Sequence, residues 1–114
     1  MPVNDIVSGK LVLRMDSGHA FWNEVDVGLT YCEFRILHLI VSSDGRFVTY
    51  RAIYDGMHYK GFVAGSGEDG YRRNVRSAIK RIRNKFRQLD PAFAEIETYI
   101  TFGYRWRTAE ASLR

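Results

Sequence analysis

The sequence predicts an α+β domain with a small antiparallel sheet, then three helices, then a closing β-hairpin. Three observations predict it. Apolar residues recur at helical spacing along a cationic segment from Tyr71 to Leu89, a capping box precedes an apolar run at Thr30, and both ends of the chain alternate β-prone stretches with turn residues. The 114 residues, 46% hydrophobic and 14% aromatic, are about one domain's worth and leave no room for a second core.

Lys10 to Val27 is rich in β-branched and aromatic residues, broken by Asp16-Ser17-Gly18 and Asn23-Glu24. This predicts short antiparallel strands near Leu11–Met15, Ala20–Trp22 and Val25–Val27. Thr30 with Glu33 three residues on makes a capping box, and Leu29 and Phe34 stand where a hydrophobic staple closes. A first helix should therefore run over Tyr31–Ser42, turning Phe34, Leu37, Ile40 and Val41 inward, and stop at Ser43-Asp44-Gly45. Val48 and Ile53 bracket Thr49 in a second staple, so a short helix is expected from Tyr50 to about His58. Tyr59 to Gly70, with four glycines, reads as a loop.

Val75, Ile79, Ile82, Phe86 and Leu89 then recur at steps of four, three, four and three, which places them along one helical stripe bordered by Ala78. At roughly 100° per residue, Arg73, Arg76, Lys80 and Asn84 project away from it, flanked by Ser77 and Arg81 on one side and Arg83 and Arg87 on the other. Asp90-Pro91 ends the helix. Ile96–Tyr99 and Gly103–Trp106 read as a hairpin. The boundaries follow: 1–9 an N-terminal extension, 10–107 the domain, 108–114 a flexible tail.

Charge is distributed unevenly. Tyr71–Leu89 holds eight of the seventeen Lys and Arg residues and no Asp or Glu, so the formal charge of +4 belongs to this segment; elsewhere thirteen acidic residues outnumber nine basic ones. Surface helices normally mix signs to avoid self-repulsion. An unmixed run implies a polyanion as partner. Double-stranded DNA is the first expectation, with RNA and an anionic membrane surface as the alternatives. The membrane reading would require the apolar stripe to leave the core.

Other chemistry finds little support. Gly65-Ser66-Gly67-Glu68-Asp69-Gly70 spells G-x-G-x-x-G, but without a buried strand before it, and two acids would crowd a pyrophosphate. His19, His38 and His58 lack metal-ligand spacing, and no nucleophile motif is present, so neither metal, small-molecule cofactor nor catalysis is expected. The lone Cys32 and the lack of a leader or long apolar span fit a cytoplasmic chain. Trp22 and Trp106 are expected to anchor sheet packing.

Two helices ahead of a cationic third, followed by a hairpin, is the layout of a winged helix-turn-helix. Its wording resembles a particular family. Thr30-Tyr31-Cys32-Glu33-Phe34-Arg35-Ile36-Leu37 resembles the first-helix motif of the OmpR/PhoB response-regulator DNA-binding domain. Val75 to Phe86 resembles that family's recognition helix, and Ile96-Glu97-Thr98 with Gly103-Tyr104-Arg105-Trp106 its wing. The helix and wing are most similar to ChvI-type regulators. The match spans about Leu11 to Trp106, and does not include the amino-terminal receiver that full-length members carry.

The resemblance implies the output domain of a two-component transcriptional regulator, binding promoter DNA, commonly as a head-to-tail dimer. It implies base or phosphate contact by Arg76, Lys80 and Arg81, with Ser77 and Asn84 on the same surface. Arg73, Arg83 and Arg87 would hold phosphates, the Tyr104 hydroxyl on the wing could reach one, and Arg105 beside it belongs to the DNA-binding set. Arg76 and Arg81 are the first choices for reading guanines. Tyr59, Phe62 and Val63 would form a loop touching RNA polymerase. The family's wing often has Arg or Trp and then Gly where this chain has Ile100 and Thr101, which removes the charged minor-groove contact that an Arg would offer and predicts a longer or differently shaped turn.

Overall fold

The computed structural model describes residues 5–57 and 67–107. A four-stranded antiparallel sheet, β1 (Ile6–Ser8), β2 (Leu11–Arg14), β3 (His19–Trp22) and β4 (Val25–Asp26), precedes helix α1 (Tyr31–Ser42). Strand β5 (Val48–Thr49) leads into α2 (Tyr50–Met57), then come α3 (Gly67–Leu89), β6 (Ile96–Tyr99) and β7 (Gly103–Trp106). The second sheet has the order β5-β7-β6, all antiparallel. The architecture is the expected winged helix-turn-helix.

Helix α1 starts as its sequence dictates. The Thr30 hydroxyl accepts the Glu33 N–H at 3.2 Å, while the Glu33 carboxylate accepts the Thr30 N–H at 3.0 Å. Thr49 caps α2 in turn, its hydroxyl accepting the Ala52 N–H at 3.0 Å. Behind α3, Val75, Ala78, Ile79, Ile82 and Phe86 are all buried. This stripe packs α3 on α1 and α2, so the opposite face has no choice but to meet solvent.

Four aromatic rings join the two sheets to α3. Trp22 of β3 meets Phe86, Phe93 and Trp106 edge-on, with centroids 5.5, 5.2 and 6.2 Å apart, and Phe93 stacks on Phe86 at 4.4 Å. Edge-on and offset-stacked geometries suit the ring quadrupoles. Both indoles satisfy their polar edge: Trp22 donates to Asp90 at 3.0 Å and Trp106 to Ser8 at 3.1 Å.

The structure departs from the sequence reading at four places. Ile6–Ser8, within the segment read as an extension, pairs with β2, Ile6 opposite Leu13. Three residues carry too little periodicity to be seen, and their hydrogen bonds come from the neighbouring strand. Helix α3 begins at Gly67, four residues before the expected start at Tyr71. Glycine's penalty of about 1 kcal/mol per residue is overcome because the packed stripe has already nucleated the helix. Leu89 does not complete that stripe; it is 40% exposed, because the chain turns at Asp90 and Phe93 fills the place. Finally, Val48 and Thr49 are a strand as well as a cap.

The wing turn forms with Thr101 where the family often has a glycine. Tyr99 and Gly103 pair across a three-residue connection, with the Phe102 N–H donating to the Tyr99 carbonyl at 2.9 Å. Thr101 takes the left-handed conformation itself, at φ +73°, which costs a β-branched residue about 1–3 kcal/mol. The Phe102 carbonyl accepts the Tyr50 N–H at 3.1 Å, tying the turn to the start of α2.

Gly103 is fixed by contact, since a Cβ there would sit 1.8 Å from the Val48 carbonyl oxygen and 2.9 Å from the Thr49 Cα. Both are backbone atoms of β5 and cannot swing aside. Gly103→Ala is expected to lower the unfolding free energy by about 2–3 kcal/mol, read from urea titrations followed by tryptophan fluorescence; an unchanged midpoint would show that β5 slides away freely.

Candidate nucleic-acid interface

The solvent face of α3 carries two rows of side chains at four-residue spacing. Arg73, Ser77, Arg81 and Lys85 form the row on the α1 side. Arg72, Arg76, Lys80 and Asn84, with Arg83 and Arg87 beside them, face the wing. Arg73, Arg76, Ser77, Lys80, Asn84 and Arg87 are exposed. Among the described residues no carboxylate lies within ion-pair distance of Arg73, Arg76, Lys80 or Arg87.

Arg81 is different. Its Nε donates to Glu33 at 3.3 Å, and Lys85 Nζ donates to the same carboxylate at 2.6 Å and to the Gly28 carbonyl at 3.2 Å. Glu33 is the one charged residue buried among those described. Burial by itself would raise its carboxyl's pKa, but hydrogen bonds from Lys85 and the Thr30 N–H, with the Lys85 charge and Arg81, outweigh it and hold the group below its ordinary 4.5. The Arg81 side chain stays 56% exposed, with its terminal nitrogens outside this contact. It is held in one orientation rather than withdrawn.

Arg83 and Tyr104 turn inward. Arg83 Nη2 donates to the Ile96 carbonyl at 2.6 Å and to the Thr98 hydroxyl at 2.7 Å, and its guanidinium lies 5.6 Å from the Tyr104 ring centre. Burial lowers its pKa, with the Arg87 charge acting the same way, and the two hydrogen bonds tie it to β6. Tyr104 is buried and its phenol is pushed up to about 12, first by burial and then by its hydrogen bond with Tyr50, so it stays neutral. These two residues fasten the wing to α3. Arg105 lies on the other face of the hairpin, bonded through Nε to Glu97 at 2.7 Å and packed 4.5 Å over the Phe47 ring.

Between α3 and the wing runs an open groove of about 520 Å³. Arg72, Arg76, Lys80, Arg83, Asn84 and Arg87 form one wall; Thr98, Ile100, Thr101 and Tyr104 form the other, with Tyr50 beside them. Of the residues singled out from sequence, the structure gathers Arg76, Lys80, Arg83, Asn84, Arg87 and Tyr104 here. Arg73, Ser77 and Arg81 lie on the adjoining row, and Arg105 lies outside. Tyr59, Phe62 and Val63 are outside the described residues.

Sequence reasoning passed over Arg72, whose Nε is buried without a hydrogen-bond partner and whose guanidinium lies 5.9 Å from the Tyr50 ring. Its spacing of four from Arg76 and eight from Lys80 was the available signal. It also passed over the ionic role of Glu33, because the capping box had already explained that residue. Among the described residues no cluster of His, Cys, Asp and Glu could hold a metal, and no helix is long and apolar enough to cross a membrane.

Residues 23–106 match the family model described as "Transcriptional regulatory protein, C terminal". The chain belongs to this family. The transcriptional regulatory protein CreB of Escherichia coli (strain K12) is 28% identical over 99 residues, which cover 87% of this chain and 41% of CreB. The chain thus spans less than half the length of that relative. The fold is similar to the DNA-binding domain of CpxR from E. coli, with a TM-score of 0.74 at 19% identity over 96% of this chain and 99% of that one. It is also similar to the Klebsiella pneumoniae RstA DNA-binding domain, solved in complex with the RstA box, with a TM-score of 0.71 at 22% identity over 90% and 96% of the two chains.

The depressed Glu33 value has a consequence for stability. The contribution is complete above pH 4.5, the group's ordinary value, and is lost as pH falls from there through the folded-state value. Glu33→Gln is expected to cost about 2 kcal/mol at neutral pH and to flatten the acid branch of the stability profile below that point. Superimposable profiles for the two proteins, from denaturant unfolding across pH, would contradict the ion-pair account.

Proposed function

We propose that this chain is the DNA-binding output domain of a two-component transcriptional regulator of the OmpR/PhoB type, with α3 entering the major groove of a sequence-specific site. One observation carries the reading: Arg73, Arg76, Lys80 and Arg87 stand exposed, without a carboxylate partner among the described residues, on a helix whose back is fully buried. Such a face favours a polyanion, which relieves its repulsion more completely than screening by solvent and salt does. An α-helix fits the major groove of B-form DNA, whereas the deep, narrow major groove of A-form RNA does not admit it. The buried stripe argues against lipid, since Val75, Ile79, Ile82 and Phe86 are unavailable to a bilayer.

Roles follow from position. Arg76, exposed at the middle of the row facing the wing, reads a guanine edge through O6 and N7, and Arg81, oriented by Glu33, reads a second one. Lys80 and Arg87, with Arg73, hold phosphates. Arg72 lines the groove where a phosphate strand would pass, and Arg83 and Tyr104 act by setting the angle between helix and wing. The motif wording of α3 and the wing supports a ChvI-type member acting in the cytoplasm. Head-to-tail pairing on DNA, and contact with RNA polymerase through the segment holding Tyr59, Phe62 and Val63, belong to the same reading by family resemblance.

Duplexes enriched by the protein from fragmented genomic DNA supply the test. On an enriched site Arg76→Ala is expected to lose about 1–3 kcal/mol of discrimination while its binding to random duplex changes little. Lys80→Ala should weaken both and reduce the slope of log affinity against log salt by about one. Equal losses for Arg76→Ala on the two duplexes, or displacement of duplex DNA by structured RNA at equal concentration, would overturn the assignment.

A further inference from the structure

Ile100 is the most exposed large apolar side chain among the described residues, at 76%, and it stands on the wing turn beside Thr101. Its neighbours Tyr99 and Phe102 are 56% and 43% exposed. An isolated exposed aliphatic residue needs no explanation. This one is continuous with the cationic groove: Ile100 and Thr101 form its far wall, facing Arg76, Lys80 and Arg87.

The groove's two walls fix what that turn would meet. One phosphate backbone separates the major groove of a duplex from the adjacent minor groove. If a backbone strand lies between the cationic row and the wing, with α3 in the major groove, the wing turn stands over the minor groove. We propose that the turn enters it as an apolar wedge led by Ile100, bending the duplex and disfavouring G·C pairs at the step it touches. This rests on the reading of α3 as a DNA-binding helix.

The turn is built to hold such a wedge. Phe47 packs against Tyr99 at 5.3 Å and Phe102 at 6.4 Å, and Tyr99 against Phe102 at 5.6 Å, so an aromatic base lies behind the tip. The Tyr50 N–H bond to the Phe102 carbonyl anchors it to α2. Thr101 is held at φ +73°, a strained state that persists only where the surroundings impose it. Little conformational freedom is therefore left to lose on contact.

The chemistry of Ile sets the preference. Aliphatic side chains pushed between base steps unstack and kink a duplex toward its major groove. The guanine amino group projects into the minor groove and would face a side chain that offers no acceptor. A·T pairs lack that group, and TA or CA steps unstack most easily.

The test uses the full 114-residue chain and duplexes it enriches from a random-sequence library. Bend angles are measured by energy transfer between dyes at the duplex ends. Ile100→Ala is expected to weaken binding about tenfold, as for an aliphatic side chain left unburied, to straighten the duplex, and to erase the bias against G·C at one step. Ile100→Arg should recover affinity through its charge without the bend. Val7→Ala, at an apolar side chain also largely exposed (66%) but outside the groove, should change nothing. Circular dichroism confirms that each variant is folded. Unchanged bend and base preference in Ile100→Ala overturn the wedge while leaving DNA binding intact; a wild-type chain that enriches no duplex removes both. A loss of self-association in Ile100→Ala with the bend unchanged would give the tip to a second copy instead, and also overturns the proposal.

Discussion

Eight like charges on one helix must be kept against the core without tearing the helix away, and the arrangement around α3 follows from that constraint. Coulomb repulsion between exposed neighbours is modest in water but grows wherever solvent is excluded. The protein therefore treats the inner and outer charges differently. Lys85 and Arg81, nearest α1, share the buried Glu33 carboxylate, and Arg83 is given a carbonyl and a hydroxyl from β6. Arg72 lies over the Tyr50 and Tyr71 rings. What remains uncompensated is the outermost ridge, where water screens it and where an incoming polyanion would find it.

Those compensating contacts also set geometry. Glu33 stands in the first turn of α1 and caps that helix while binding α3, so one side chain registers the two helices against each other. Arg83 does the same between α3 and β6, and the aromatic group of Trp22, Phe86, Phe93 and Trp106 holds the first sheet behind both. The wing is thus braced at its base by Arg83 and Tyr104 and at its tip by Phe47 and the Tyr50 N–H. Both walls of the groove are thereby tied back to the packed core.

Residues that appear equivalent in sequence divide in space. Arg76 and Arg83 both belong to the same basic run, yet one is exposed and the other is bonded to the wing. Tyr104 and Arg105 are neighbours in a strand and consequently point to opposite faces, one into the groove's wall and one to the Phe47 side. Ile100, which reads on paper as the loss of a charged contact, becomes in three dimensions an apolar tip with its own aromatic support.

Local rules were sufficient for the elements themselves. The capping box at Thr30 and Glu33, the stripe from Val75 to Phe86 and the hairpin strands at Ile96–Tyr99 and Gly103–Trp106 were all legible because each is specified by spacing along a few residues. The edge strand Ile6–Ser8 and the strand Val48–Thr49 were not, since two or three residues become a strand only when a partner from elsewhere offers its hydrogen bonds. The first turn of α3 was hidden by its glycines for a related reason. The sequence by itself determined that a cationic amphipathic helix would sit between a small sheet and a hairpin. Only the tertiary structure decided which cations stay free, because pairing depends on which carboxylate, carbonyl or ring the fold brings within a few ångströms, and residues 48 to 52 positions apart, such as Glu33 with Arg81 and Lys85, carry no mark of that meeting in the chain.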